Sequence, residues 1–389
     1  MKKLLSCVNL LLCLISVCSC IKSRPEDATV FKYNIIMNDT LNITTWYDLI
    51  DSVDYITLKT DERTVMGELK QLVVKEDLIY VLSNGVYCFD MDGICKFKIS
   101  NRGRARNEFI EATTLSVSDG NLYLYDKIKG KGLIYDAQTG KFLEDIDIPV
   151  GGRKVYFINN YFIFDAVNTD GPNINRFITY SQKWPDQKKN GYFSDEEHIG
   201  SIGGTCTWTN NGLIYSSYLR NISWKIDSKE CIPYIKIVVP ERNRLSDKVI
   251  NAMIEERTIS AKGYNALNSI YGLSFINECE TNITGRLFDN QKNSPLFFVY
   301  DKKTGNSRFF RSLTNGEPWH VIPIGEYSTG DRNYMYSIVS SESIQLAKKI
   351  VGSDGNEPEE EKYRQAFNVI QNIKNDDNPI VAKFKFKTI

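Results

Sequence analysis

Histidine is nearly absent: 389 residues carry two, His198 and His320. A histidine-built metal centre would consume the whole supply, and the pair could meet only if loops carried both to the axis of a ring. No His-Glu-x-x-His, Gly-x-Ser-x-Gly, Walker-type loop or EF-hand loop occurs, so the signatures of the common metal-dependent, acyl-transfer and phosphoryl-transfer sites are missing. No cofactor or metal is expected. An excess of one charge is lacking too, with Lys plus Arg and Asp plus Glu both at 48. No Lys/Arg stripe with interleaved aromatics appears, and nucleic acid is not an expected partner. The apolar run at 4–17 falls short of the ~20 residues of a spanning helix.

That short run has a meaning of its own. Lys2 and Lys3 precede it and SVCSC, residues 16–20, closes it. A basic start, a brief apolar stretch and small residues at its end form an export signal. Small Ser19 before Cys20 is how a lipoprotein processing site looks, although Val17 stands where leucine is preferred. Residues 1–19 read as a lipoprotein signal peptide, Cys20 as the lipidated residue, and 20–50 as a tether and lead-in. Lipid chains anchor a folded domain without a spanning helix. Ile21 after the cysteine points to the outer membrane, facing the periplasm or the surface.

Five cysteines remain beyond residue 20: Cys88, Cys95, Cys206, Cys231 and Cys279. An odd number leaves at least one unpaired, and the spacing fits no zinc pattern. Cys88 and Cys95 flank a Gly turn and could face each other; burial as small apolar side chains is the competing reading.

Aromatic residues are abundant, with 22 Tyr and 19 Phe, which suits strands. The stretch LIYVLSNGVYCFDMDGICKFKI, 78–99, is written again in style as NLYLYDKIKGKGLIYDAQTGKFLEDI, 121–146. Each copy is an apolar strand, a polar break, a strand ending in aromatic-Asp, a Gly turn and a third strand. SPLFFVYDKKTGNSRFF at 294–310 repeats the Tyr-Asp and Gly-turn portion. Asp90, Asp136 and Asp301 thus recur at one turn position, and their expected role is to cap backbone N–H groups there.

Six recurrences can be drawn, near 69–99, 109–146, 152–182, 206–238, 268–312 and 330–388. A repeat of roughly 45 residues built from three or four strands predicts an all-β, six-bladed β-propeller over 51–389. A β-sandwich followed by a separate domain is the alternative. The alternating strands YITLKT at 55–60 and PIVAKFKFKT at 379–388 are expected to close the ring, because open edges invite aggregation. Helical spacing at 245–259 and 341–373, the latter broken by the charged insert 352–361, predicts small helical insertions.

The segments YITLKTD at 55–61, FDMDGICKFKI at 89–99, NRGRARNEF at 101–109, IYDAQTGKFL at 134–143 and NDDNPIVAKFKFK at 375–387 together resemble the six-bladed β-propeller lipoproteins of Bacteroides-type bacteria, related in style to NHL-repeat propellers. The match runs from about residue 53 to the C-terminus. The resemblance implies the fold and a lipid anchor but no reaction, and it suggests handling of extracellular polymers. Members often carry Gly-Pro-Gly-Glu-aromatic after the first blade. Here Glu108 and Phe109 match that ending, while residues 104–107 lack its Gly/Pro character.

The remaining candidates are binding residues. Arg102, Arg104 and Arg106 alternate on one loop beside Gly103, where three guanidinium groups could hold a carboxylate or sulfate; a solvated loop is the plain alternative. Trp208 in WTNNG and Trp319 in EPWH could stack on a sugar or peptide, or pack between blades. The leading reading is a non-catalytic binding or scaffold lipoprotein of the cell envelope, with glycan or peptide as ligand. The alternatives are a carbohydrate-active or lactonase-like enzyme with an axial site, and a partner of an outer-membrane uptake complex.

Overall fold

The computed structural model describes residues 30–37, 42–44, 46–62, 64–148, 154–158, 161–165, 177–181, 190–192, 205–209, 212–216, 219–227, 230–256, 268–312, 328–351, 361–374 and 377–389. The described residues open with β1 (Tyr33–Ile36), β2 (Asn42–Thr44), the single-turn helix α1 (Trp46–Leu49) and β3 (Ile50–Thr57). The first sheet follows as β4 (Gln71–Lys75), β5 (Leu78–Leu82), β6 (Val86–Asp90) and β7 (Cys95–Ile99). The second is β8 (Ala112–Ser118), β9 (Asn121–Asp126), β10 (Lys131–Asp136) and β11 (Phe142–Asp147), and the third β12 (Lys154–Ile158), β13 (Tyr161–Asp165), β14 (Phe177–Ser181) and β15 (Asn190–Tyr192). The fourth comprises β16 (Thr205–Thr209), β17 (Gly212–Ser216), β18 (Ile222–Ile226) and β19 (Cys231–Val238), followed by α2 (Asp247–Glu255). The fifth is β20 (Ile270–Glu278), β21 (Asn282–Asp289), β22 (Ser294–Asp301) and β23 (Ser307–Ser312). The sixth starts with β24 (Ser328–Asp331) and β25 (Tyr334–Val339), leaves for α3 (Ser341–Val351) and α4 (Glu361–Asn372), and returns as β26 (Ile380–Phe386). Within each sheet these consecutive strands pair in sequence order. The result is a mainly β chain in a β-propeller arrangement.

The continuous apolar runs follow from burial on both faces. In β5, Leu78, Tyr80 and Leu82 join one core cluster, while Ile79 and Val81 join another. In β9, Leu122 and Leu124 face the first cluster and Tyr123 and Tyr125 a third. A sheet packed on one side only would alternate apolar and polar residues; packed on both, it reads apolar throughout.

Along the inner strands, side chains tie one sheet to the next. The Gln71 amide gives Nε2–H to the Leu115 carbonyl at 2.8 Å and accepts the Leu115 N–H at 2.9 Å. Ser116 Oγ accepts from Phe157 N at 3.2 Å, and Thr205 Oγ1 from Phe275 N at 3.4 Å.

The recurrent aspartates cap their turns as expected. Asp90 Oδ1 accepts from the amides of Asp92 and Ile94, Asp136 Oδ1 from Gln138 and Thr139, and Asp301 Oδ1 from Lys303 and Thr304. Asp289 does the same for Gln291 and Lys292. In the first of these turns Gly93 has φ +72, and a Cβ there would run into the Thr57 carbonyl of β3. Glycine lets this turn sit directly on the neighbouring sheet.

The sixth sheet joins strands far apart in sequence. β26 pairs antiparallel with β25 on one side and with β3 on the other. The lead-in segment does more than tether: β1 adds in parallel to the outer strand β19 and β2 in parallel to β23. The chain therefore runs along the outer edges of the fourth, fifth and sixth sheets before the first sheet begins. The helices pack on this framework. Ile250 and Met253 of α2 bury against Leu219 and Tyr271, and Ile344, Ala347, Ala366 and Ile370 of α3 and α4 join the cluster containing Ile380 and Phe384. Of the charged insert at 352–361, residues 352–360 lie outside the described residues and Glu361 opens α4.

Cys88 and Cys95 do not bridge the turn as a disulfide, and Cys88 and Cys279 are buried thiols. Cys88 is fully buried in one core cluster while Cys95 packs against another, and burial pushes the Cys88 thiol up to about 12.

Candidate functional site

The arginine loop joins β7 to β8. Arg102 and Phe109 form an isolated parallel bridge, and Glu108 Oε2 accepts the Ala105 N–H at 2.8 Å while its own amide donates to the Ala105 carbonyl. This carboxylate turn takes the place of a Gly/Pro-built one. It also explains Gly103, whose φ is +155 and whose missing Cβ would meet the Glu108 carboxylate. Gly103→Ala is expected to cost about 1–3 kcal/mol through backbone strain and displacement of Glu108. A denaturant midpoint unchanged by the substitution would show that the loop can relax freely.

The three arginines differ in what they touch. Arg102 donates from Nη2 to the Asn84 carbonyl at 3.1 Å and lies 5.9 Å over the Phe109 ring. Arg106 donates from Nε to Asp145 Oδ1 at 2.8 Å, with Lys131 Nζ 2.5 Å from the other oxygen. The hydrogen bond from Lys131 is the largest influence on the Asp145 carboxyl; burial opposes it, and with the added hydrogen bond from Arg106 the carboxyl is held below its usual range. Arg104 is exposed. Two of the three cations are thus engaged within the chain, and a ligand on this loop would meet Arg104 first.

Trp208 on β16 is 9% exposed and stacks on Tyr156 of β12, with centroids 5.4 Å apart and planes at 11°. It packs at the junction of the third and fourth sheets. Trp319, Cys20, His198 and His320 lie outside the described residues. No cluster of three or more His, Cys, Asp or Glu suited to a metal occurs among the described residues, and no described helix is long and apolar enough to cross a membrane.

Two arrangements were not foreseen. The first is an open cleft of about 660 Å³ at the seam between the first and sixth sheets. Val65, Met66 and Leu69 give it an apolar side, and Glu68, Glu342 and Asp377 give it carboxylates. Asn378 clasps the seam beside it. Its Oδ1 accepts from Met66 N at 3.2 Å, its Nδ2 donates to the Thr64 carbonyl at 3.0 Å, and its own amide donates to Thr60 Oγ1 at 2.7 Å. The second is a buried charge cluster where β1, at the edge of the fourth sheet, meets the fifth. Glu278 Oε1 lies 2.5 Å from Lys302 Nζ and 2.5 Å from Tyr234 Oη, while Oε2 lies 3.4 Å from Lys225 Nζ. Burial opposes ionisation of Glu278, but the two ammonium groups and the Tyr234 hydroxyl outweigh it and keep the carboxyl below its usual value. Desolvation pulls Lys225 down and pushes Tyr234 up.

Stacked four-stranded sheets with a rim-running N-terminal segment define the class as a β-propeller. Over residues 33–385 the sequence matches the family described as Domain of unknown function (DUF4934), and the chain belongs to that family. No curated protein matches it. Among solved structures it is similar to a protein of Bacteroides fragilis NCTC 9343 described as exported, at 13% identity and a TM-score of 0.68, covering 92% of this chain and 99% of that one. This likeness shows a shared fold. Hsv2 of Kluyveromyces lactis, at 10% identity, TM-score 0.35 and 70% of each chain, and hydrazine synthase of Kuenenia stuttgartiensis, at 9%, 0.36, 70% and 74%, are similar too weakly to bear on this chain.

Proposed function

We propose that this chain is a non-catalytic ligand-binding or scaffold lipoprotein of the cell envelope, held at the outer membrane by lipid on Cys20, with glycan or peptide as its ligand. The six sheets stand as six blades of one ring in this reading. The Tyr156–Trp208 stack supports it by bridging the third and fourth sheets. The export-type leader supports the location, and the description of the Bacteroides fragilis neighbour as exported agrees with it.

The observation that carries the binding role is the seam cleft. Its volume falls in the range of ligand pockets, roughly 300–1,000 Å³. Its mixture of aliphatic side chains and carboxylates favours a hydroxyl-rich or cationic ligand. The arginine loop offers an opposite preference through Arg104, so the two sites predict different ligands. A screen of neutral, acidic and basic glycans and peptides against the Cys20→Ala protein separates them. Glu68→Lys should weaken a cleft ligand about tenfold. Arg104→Ala should weaken an acidic ligand by about 1–3 kcal/mol and leave a neutral one unchanged. Absence of any saturable ligand, or conversion of a bound glycan to products, would overturn this reading.

A further inference from the structure

Neither the arginine loop nor the cleft accounts for the surface where β1 meets β19. Asn34 stands opposite Lys236 and Ile36 opposite Val238. Partners in register project to the same side of a sheet. On that side Ile36 is 62% exposed and Val238 40%, and Val30, just before the strand, is 86% exposed. Exposed aliphatic residues scattered singly mean little; Ile36 and Val238 stand side by side at the ends of their two strands, with Val30 further back along the same edge. Val238 also borders a cavity of about 90 Å³ that Phe31 and Leu245 help to line, with Lys236 and Arg244 on it and Asp247 as the one carboxylate among the described lining residues. Lys32, also exposed, leads into the same strand and holds its Nζ 5.3 Å over the Tyr33 ring and 5.5 Å over the Tyr234 ring.

We infer that this rim surface rests on an anionic lipid bilayer. The inference depends on the lipoprotein reading, because the tether is what brings the rim there. Only ten residues lead from Cys20 to Val30, a reach of at most about 36 Å when fully extended. A lipid on Cys20 therefore holds the beginning of β1 within reach of the headgroups throughout. Aliphatic tips in a basic surround suit such a boundary, where apolar groups enter the acyl margin and ammonium or guanidinium groups meet phosphates. Three aliphatic tips are too few for the ~800 Å² that each partner contributes to a stable protein interface, which favours a membrane over a protein as the occupant.

The test uses the unlipidated Cys20→Ala protein and sedimentation with vesicles of phosphatidylcholine alone or with added phosphatidylglycerol. Binding should appear with phosphatidylglycerol, weaken with salt, and fall about fivefold for each of Lys32→Gln, Lys236→Gln and Arg244→Gln. Ile36→Asp should reduce it as well. Equal partition onto both vesicle types, or a triple Gln variant that binds as tightly as its parent, would overturn the inference. Unchanged circular dichroism and melting of the variants exclude unfolding as the cause. Cell fractionation after a high-salt wash separates the two readings. Cys20→Ala protein that stays with membranes like the wild type sinks the lipid anchor, whereas normal release without vesicle binding sinks only the rim surface.

Discussion

Removal of residues 379–389 is expected to abolish cooperative unfolding altogether. β26 is an interior strand, bonded to β25 on one edge and β3 on the other. Its loss detaches β3 and exposes the edge of β25. Ile380, Val381, Ala382, Phe384 and Phe386 are each at most 5% exposed, and they feed two core clusters, Val381 one and the rest another. At roughly 1.5–3 kcal/mol for each large apolar side chain, the loss is on the order of 10 kcal/mol. That equals the whole stability of a typical domain, about 5–15 kcal/mol. The C-terminal residue contributes further, since Ile389 O accepts from Thr304 Oγ1 and Asn306 Nδ2 of the fifth sheet. Near- and far-ultraviolet circular dichroism during urea titration reads the outcome. A truncated chain that still melts in one sharp transition near the wild-type midpoint would show that the seam is not closed through β26.

How much of this was visible in the sequence depends on how local the signal is. The strands of the first two sheets were legible because both-face burial writes long apolar runs and the aspartate turns repeat. The paired helices α3 and α4 were legible from spacing, and the closing role of 379–388 from its alternation. β1 and β2 were not. They are four and three residues long, partly polar, and join β19 and β23 in parallel without any hairpin turn to announce them. The candidate sites suffered from the same non-locality. The arginine cluster stood out as a run of like charge, yet the partner of Arg106 is Asp145, on the second sheet. For Trp208 the sequence left ligand stacking and packing between blades both open, and Tyr156, on another sheet, supplies its stacking face. The seam cleft draws on residues 65–69, 340–342 and 377–379, which no window along the chain brings together. Asn378 lies within a segment that carried the family resemblance, and its clasp gives that segment a physical reason to be written as it is.

The buried cluster around Glu278 leads to the second large effect. Lys225, Tyr234, Lys302 and the strand-borne Tyr33 come from four different elements, with Tyr33 packed edge-on against Tyr234 at 5.4 Å. Side-chain exposure is 8% for Glu278, 13% for Lys225 and 15% for Lys302. Glu278→Gln keeps the shape but removes the charge that answers two nearly dry ammonium groups. Breaking one partner out of a buried ionic group costs about 3–5 kcal/mol, because the remaining charge stays desolvated. The loss should fall on the anchoring of β1 as well as on the fourth and fifth sheets, so amides of residues 33–36 should exchange faster. The pH dependence has a definite sign. Glu278 has a lowered carboxyl in the folded state, so the unfolded chain binds the extra proton first. Its contribution is complete above the unfolded value near 4.5 and is lost as pH falls from there through the folded value. Wild type and Glu278→Gln should therefore differ most at neutral pH and converge under acid, where protonated Glu278 resembles glutamine. Denaturant titrations of both proteins from pH 7 down to the acid limit read this directly. A stability gap that stays constant across that range would mean that the carboxylate charge is not what holds the two lysines and the rim strand in place.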